Sequence, residues 1–241
     1  MAEASEPYDP DNLLDRRTRR CTLEASYRRM EARERALVDR RLGLAGGDVL
    51  SVGCGWHPGR HLFPAPAFRI VAVDADPARV AGVLESGRAD EARVGLAGRL
   101  DLPPRAFDVV LYRLVLHHIA FQGPLAPCFA EAAAALAPGG ALVAIEPGLW
   151  HPVGAGLALA NRTGLATALH GTPDDVPLSP RRLCAEARRA GLVPELHAVT
   201  YGWRRLPPAL AAALAPLDAL GSRPRCAAVG HTLMLIARRA R

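Results

Sequence analysis

The 241-residue sequence contains no lysine, so all 30 of its basic residues are arginine. Lysine is the phosphate-binding residue of the P-loop and the amine that forms Schiff bases, and both kinds of site are therefore excluded. Its five cysteines form an odd count and include no CxxC pair. This usage argues against a zinc site or a disulfide framework, and we expect reduced, mostly buried thiols and no metal.

Long hydrophobic runs are also absent. No stretch approaches the ~18 to 20 uncharged residues that cross a bilayer, and the first ten residues are acidic with no hydrophobic stretch behind them. These features predict a soluble, cytoplasmic protein without a membrane span or signal peptide. A composition that is 50% hydrophobic and 22% charged is typical of one globular unit.

The positive charge is concentrated near the end of the chain. Residues 171–241 hold 11 arginines against five acids, and such a segment can meet an anionic substrate or a nucleic acid. The arginines fall mostly in pairs on predicted helix faces and strand ends, without aromatic residues spaced for base stacking. We interpret them as solvated surface and expect no nucleic-acid partner; the sequence leaves the oligomeric state open.

The order of predicted elements indicates an α/β fold. Apolar positions at helical spacing in residues 11–42 predict one or two amphipathic helices. Short apolar runs then alternate with helical stretches, as in a parallel sheet joined by crossover helices. The predicted strands cover residues 48–52, 69–73, 92–97, 107–111, 141–146, 194–201 and 228–237. We predict one Rossmann-like, doubly wound sheet of about seven strands at 47–241, an N-terminal helical segment at 1–46 that packs on it, and a substrate-side insert at about 147–178.

A ligand-binding turn is predicted after the first strand, where the short segment 53–59 contains Gly53, Gly55 and Gly59. Without Cβ atoms the chain can turn tightly, and a ligand can lie against backbone N–H groups. The second strand ends in Asp74, an acid placed to accept the hydroxyls of a ribose. The spacing GxGxxxG differs from the GxGxxG of dinucleotide-binding loops. S-adenosylmethionine would need only a backbone cradle, an acid for its ribose and an apolar slot for adenine.

Four ordered segments carry a family resemblance: VLSVGCGWHPG, VAVDAD, LPPRAFDVVLYRLVLHHI and LAPGGALVAIEP. Over about residues 25–150 the chain resembles the class I S-adenosylmethionine-dependent methyltransferases, most closely the ubiquinone/menaquinone-biosynthesis type. The resemblance implies strand order 3-2-1-4-5-7-6 with the seventh strand antiparallel, S-adenosyl-L-methionine as cofactor, and methyl transfer to O, N or C of a small, largely apolar metabolite. The cofactor-binding residues that it implies are Gly53, Cys54, Gly55, Asp74, Ala75, Arg99, Leu100, Tyr112 and Arg113, the last two through backbone atoms.

The sequence departs from the family pattern at three places. Ser51 stands where an acid usually precedes the first glycine, and the glycine loop is two residues longer than usual. Gly98 stands where an acid usually contacts the adenine amino group. Adenine is then expected to meet the backbone at Arg99–Leu100 or the side chain of Asp101.

Two histidines, His117 and His118, follow the fourth strand and are the candidate general bases. Imidazole titrates near neutral pH and can take the proton that methyl transfer releases from a hydroxyl or amine. His117 is slightly favoured because it lies closer to the strand end, and packing without catalysis is the alternative. The candidate substrate contacts are Trp150, His151, His170 and Tyr27, with Tyr8 a further candidate to close the site.

Two other functions stay open. The basic C-terminal third motivates an RNA or protein methyltransferase, although LYRL stands where base-amino methyltransferases carry an (Asn/Asp)-Pro-Pro-aromatic segment. The residues Ser51 and Gly98 motivate a catalytically inactive, methyltransferase-like binding protein.

Overall fold

A computed structural model describes residues 13–170 and 174–239, and Tyr8 lies outside them. Seven strands form one sheet in the order β3-β2-β1-β4-β5-β7-β6. In chain order the strands are Gly47–Val52 (β1), Phe68–Asp74 (β2), Glu91–Val94 (β3), Phe107–Arg113 (β4), Leu136–Pro147 (β5), Leu192–Thr200 (β6) and Thr232–Arg239 (β7). β7 runs antiparallel to β5 and β6, and the remaining neighbours are parallel. The predicted fold and strand order are confirmed.

Helices cover both faces of the sheet. They are Leu13–Arg17 (α1), Arg20–Leu42 (α2), Pro77–Glu85 (α3), Leu116–Gln122 (α4), Ala126–Ala135 (α5), Pro152–Asn161 (α6), Leu165–His170 (α7), Pro180–Arg189 (α8), Pro208–Leu214 (α9) and Pro224–Ala227 (α10), with a 3₁₀ helix at Ala215–Ser222. Two helical stretches are each divided. The chain breaks at Gly164, whose φ is 74°, between α6 and α7. After α9 it changes to 3₁₀ geometry beside Pro216, which lacks the N–H for an α-helical hydrogen bond.

The core lies on both faces of the central strands. Consecutive side chains of a strand point to opposite faces, so Val49 packs with Leu37 of α2 on one face while Leu50 packs with Phe129 of α5 on the other. Because both faces are covered, these strands need nearly continuous apolar runs. This double burial explains why β1, β2, β4 and β5 could be recognised from the sequence.

The carboxyl ends of β1, β2, β4 and β5 meet at one edge of the sheet because these strands are parallel. Open α/β sheets bind ligands at this edge. α3 begins cleanly there, since the Asp76 side chain accepts the N–H of Ala78 at 2.8 Å and Pro77 occupies its first turn. The edge is the place to look for a functional site.

Candidate functional site

The glycine loop after β1 has backbone conformations that suit glycine. Gly53 has φ 63° and Gly55 has φ 52°. A Cβ on Gly53 would lie 2.2 Å from Cγ2 of Val115, whereas a Cβ on Gly55 would meet nothing within 4 Å. The first glycine therefore permits close packing of the loop, and the second leaves open space beside its backbone.

Asp74 fastens this loop to the end of β2. One carboxylate oxygen accepts the N–H of Gly55 at 2.8 Å, and the other accepts the N–H of Asp76 at 3.0 Å. Each carboxylate oxygen has two lone pairs, so both retain acceptor capacity for a further hydrogen bond. The next residue, Ala75, is exposed. Asp74 thus orders the loop, and its contact with a ribose stays a prediction.

Two of the predicted cofactor residues, Cys54 and Tyr112, have buried side chains. Burial and then the charge of Asp74 raise the pKa of the Cys54 thiol to about 12, so the thiol is neutral. The Tyr112 hydroxyl donates to the carbonyl of Cys128 at 3.1 Å inside the core. Only backbone atoms of these two residues are placed to meet a ligand.

Arg113 takes part in a buried ion cluster that the sequence reasoning missed. Its Nε donates to Glu34 Oε2 at 2.9 Å, and His61 Nε2 lies 2.9 Å from the same oxygen. Glu34 is 0% exposed. The cluster ties α2, the end of β4 and the segment after the glycine loop to one another. The sequence pattern that could have revealed Glu34 is its position on the apolar face of α2, four residues after Met30 and three before Leu37.

A second missed residue, Glu131 of α5, holds the loop where adenine was expected. It accepts the N–H groups of Gly98, at 2.9 Å, and Leu100, while the N–H of Arg99 donates to Leu96 O at 3.0 Å. The N–H groups of Arg99 and Leu100 are therefore engaged within the chain, and the carbonyl groups of both residues remain as acceptors. The contact of adenine with this backbone or with Asp101 stays a prediction.

The local geometry also explains why Gly98 replaces an acid. Its φ is 78°, and a Cβ there would lie 3.0 Å from Cβ of Pro127. A larger side chain would be strained in this backbone conformation and crowded by α5. A carboxylate reaches the loop from Glu131 instead.

A cavity of about 650 Å³ lies beside this edge of the sheet. It is walled by α2, by the chain after β4 and β5, and by the ends of β6 and β7. Among the predicted site residues, Tyr27, His117 and His118 line it. Leu114, which follows β4 in this wall, has φ 56°, an uncommon conformation for a residue with a Cβ that is often found at functional sites.

His117 is held by carboxylates. Its Nδ1 lies 2.6 Å from Glu146 Oε2, and its Nε2 lies 3.6 Å from Asp175 Oδ1. Burial opposes the charged imidazolium, but Glu146 and then Asp175 outweigh burial and raise the pKa of His117. An imidazolium cannot accept a proton, so an environment that favours the charged form makes His117 less suited to be the base. The assignment of the base to one of the two histidines stays a prediction.

His118 has the environment of a base. Its Nδ1 lies 2.8 Å from Asp174 Oδ2, and its ring centroid lies 4.0 Å from that of His117. Burial and then the charge of His117 lower the pKa of His118, against the opposing effect of Asp174. His118 is therefore neutral at pH 7, and donation of its Nδ1–H to Asp174 leaves Nε2 as the proton acceptor.

The insert after β5 holds the predicted substrate contacts Trp150, His151 and His170. Trp150 stacks against Arg181, whose guanidinium carbon lies 5.0 Å from the ring centroid, and it is not a lining residue of the cavity. His151 accepts the N–H of Val153 at 3.2 Å and so caps α6. The backbone of His170 ends α7, and its side chain lies outside the described part.

A second cavity of about 230 Å³ lies where the insert meets the end of the sheet. Val153, Gly154 and Leu157 of α6 form its apolar side. The insert therefore supplies helix side chains to a cavity wall, while Trp150 and His151 hold α6 in place.

No helix within residues 13–170 and 174–239 has the length and hydropathy needed to cross a membrane. The same ranges contain no cluster of three or more His, Cys, Asp or Glu side chains arranged to hold a metal ion.

Comparisons with known proteins give one family and several relatives. Residues 50–144 match the family described as a methyltransferase domain. A Mycolicibacterium smegmatis protein, described as a probable S-adenosylmethionine-dependent methyltransferase, is 34% identical over 149 residues, which are 58% of this chain and 55% of that protein. This chain therefore spans about half the length of the curated relative that it matches.

Solved structures share the architecture at low sequence identity. An SAM-dependent methyltransferase from Thermotoga maritima matches with a TM-score of 0.63 and 16% identity over 90% of this chain and 92% of its own. Phosphoethanolamine N-methyltransferase 2 of Haemonchus contortus, solved in complex with S-adenosyl-L-methionine, matches with a TM-score of 0.61 and 17% identity over 87% of this chain and 53% of its own. At these identities the likeness is one of fold.

Proposed function

We propose that this chain is a class I S-adenosylmethionine-dependent methyltransferase that transfers a methyl group to an oxygen or nitrogen of a small molecule, with His118 as general base. The observation that carries this proposal is His118, which lines a cavity at the carboxyl edge of the sheet and whose Nδ1 lies 2.8 Å from Asp174 Oδ2. The narrower resemblance to ubiquinone/menaquinone-biosynthesis enzymes stays a prediction.

The glycine loop and Asp74 fit the cofactor that this family uses. A Cβ on Gly55 would enter open space, so backbone there is accessible to the amino-acid end of S-adenosylmethionine. Asp74 retains acceptor capacity for the ribose hydroxyls, and the loop that Glu131 holds would flank adenine. When bound, the cofactor supplies an electrophilic methyl group on its sulfonium sulfur.

The residues of this chain have two tasks in the reaction. The cavity walls hold the acceptor atom in line with the methyl group, and such positioning can supply several kcal/mol of the barrier. Neutral His118 takes the proton that the acceptor atom releases, and Asp174 stabilises the imidazolium that forms. Glu146 favours the protonated form of His117, and the charge of that ring disfavours protonation of His118 before the reaction.

A small acceptor is favoured over RNA because several arginines of the basic segment already have partners in this chain. Arg205 contacts Asp15, Arg189 contacts Glu186 at 2.7 Å, and Arg238 donates to the carbonyl of Arg41. Arginines held this way are not arranged as a stripe for phosphate contacts. We propose that α2 from the N-terminal segment and α6 from the insert complete the acceptor site.

The test uses S-adenosylmethionine carrying a ¹³C-labelled methyl group. The purified protein is incubated with this cofactor and a cell extract, which is then separated into small molecules and macromolecules for mass spectrometry. We expect the label in the small-molecule fraction, and its loss with Asp74→Ala. Label confined to RNA or protein would contradict the small-molecule proposal, and calorimetric absence of cofactor binding would contradict the methyltransferase activity itself.

A further inference from the structure

Arg204 occupies the boundary between the two cavities. It lines the larger cavity of about 650 Å³ and the smaller one of about 230 Å³. Trp203 and His231 line both cavities beside it. A group bound at Arg204 could therefore face His118 on one side and the apolar slot of α6 on the other.

The donors of Arg204 are only partly used within the chain. Its Nη1 donates to the Tyr27 hydroxyl at 2.9 Å, and its side chain is 33% exposed. Among the described residues, no hydrogen-bond acceptor meets its buried Nε. A guanidinium carries five N–H donors in a planar fork, so Arg204 has donors to offer a ligand.

Arg204 pairs with a carboxylate that a second arginine shares. Asp15 Oδ1 lies 3.6 Å from Arg204 Nη2, and the same oxygen accepts a closer contact from Arg205. Asp15 is almost fully buried. One buried carboxylate thus serves two guanidinium groups at the edge of the cavities.

Two other charged groups in the wall of the larger cavity, Arg33 and His117, are paired with carboxylates. Arg33 lies 3.4 Å from Asp218 Oδ2 and donates to the Asp218 carbonyl at 2.7 Å. His117 lies between Glu146 and Asp175, as described above. Arg29 also lines the larger cavity but not the smaller one. Arg204 lines both cavities and has a buried Nε without an acceptor among the described residues, which makes it the cation best placed to receive an anionic ligand group.

Resting on the proposed function, we propose that the methyl acceptor is a carboxylic acid, whose carboxylate binds Arg204 while its hydroxyl or amine faces His118. A planar carboxylate matches the guanidinium fork. The larger cavity is also lined by Asp175 and Asp218, which would repel a dianionic phosphate more strongly than a carboxylate. Tyr27 and Trp203 supply apolar surface for the body of the acid.

Benzoate and benzamide are matched probes for this subsite, since they differ chiefly in the anionic group. Each is titrated into the wild-type protein by calorimetry with S-adenosylhomocysteine present. We expect benzoate to bind and benzamide to bind at least tenfold more weakly, in line with the strength of hydrogen bonds to charged groups. Equal binding of the two probes, or no benzoate binding, overturns the proposal without any variant.

Variants then place the site at Arg204. Arg204→Gln should weaken benzoate binding about tenfold or more, whereas Arg204→Lys, which keeps the charge, should retain more of it. Arg181→Gln is the control because Arg181 is exposed and stacks on Trp150 outside the cavity. Unchanged benzoate affinity in Arg204→Gln overturns the proposal.

Cofactor calorimetry on the same samples separates this proposal from the one on which it rests. Binding of S-adenosylmethionine with no preference for benzoate overturns the carboxylate subsite alone. Absence of cofactor binding overturns the methyltransferase activity, whatever the two probes do.

Discussion

Replacing Glu34 by Gln should strongly destabilise the protein, because it leaves the guanidinium of Arg113 buried without its anion. The Arg113 side chain is 8% exposed and that of Glu34 is 0% exposed. Breaking a buried ion pair on one side costs about 3–5 kcal/mol. With an unfolding entropy of about 2.1 cal/mol/K per residue, this cost lowers the Tm of a chain of this length by ~6 to 10 °C.

Differential scanning calorimetry at pH 7 measures the effect, and Asp39→Asn is the matched control. Asp39 lies on the same helix and pairs with Arg35 at 2.7 Å, but its side chain is 53% exposed. Such exposed pairs contribute about 0.3–0.5 kcal/mol, so the control should shift the Tm by no more than ~1 °C. The double variant Glu34→Gln/Arg113→Met should recover much of the loss, because it removes both charges.

The destabilisation by Glu34→Gln should also depend on pH. Burial by itself would raise the pKa of Glu34, but the charge of Arg113 and the contact with His61 outweigh burial and lower it. A lowered folded-state pKa gives stability that is present above the unfolded value and is lost as the pH falls through the folded value. The difference between wild type and variant should therefore be full at pH 7 and shrink below about pH 4.5. Equal Tm losses in Glu34→Gln and Asp39→Asn would refute the reasoning.

Three further predictions concern the site. Asp74→Ala should weaken S-adenosylmethionine binding by about 1.5–3 kcal/mol, and an unchanged affinity in calorimetry would remove Asp74 from the cofactor site. His118→Ala should lower kcat about 10²- to 10⁴-fold with cofactor affinity retained, and near-normal turnover in the variant would contradict a base at this position. Since the pKa of His118 is lowered, the wild-type rate should be flat near neutral pH and fall only at acidic pH. His117→Asn removes the neighbouring charge that lowers the pKa of His118, so the acidic limb of the rate profile should move to higher pH, and an unmoved limb would contradict the coupling of the two rings.

The features that the sequence determined alone are those encoded within a few residues. A strand buried on both faces needs a continuous apolar run, so β1, β2, β4 and β5 were recognisable from local pattern. Asp74 and Gly55 follow neighbouring strands whose carboxyl ends meet, so the sequence placed them near each other, and in the structure a hydrogen bond of 2.8 Å joins them. The strand order came from the family resemblance, because local pattern does not specify which strands are neighbours.

Tertiary structure decided the electrostatics of the site. His117 and His118 are adjacent in sequence, yet their pKa values shift in opposite directions. Glu146, far along the chain, raises the pKa of His117, whereas burial and then the charge of His117 lower the pKa of His118 against the effect of Asp174. Ion pairs depend on separations of a few ångströms between residues that only packing brings together. The contact of Glu131 with the 98–100 loop has the same origin. The sequence alone indicated a cofactor site at the strand ends. The folded structure was needed to find which histidine has the lowered pKa and that the Nε of Arg204 lacks an acceptor among the described residues.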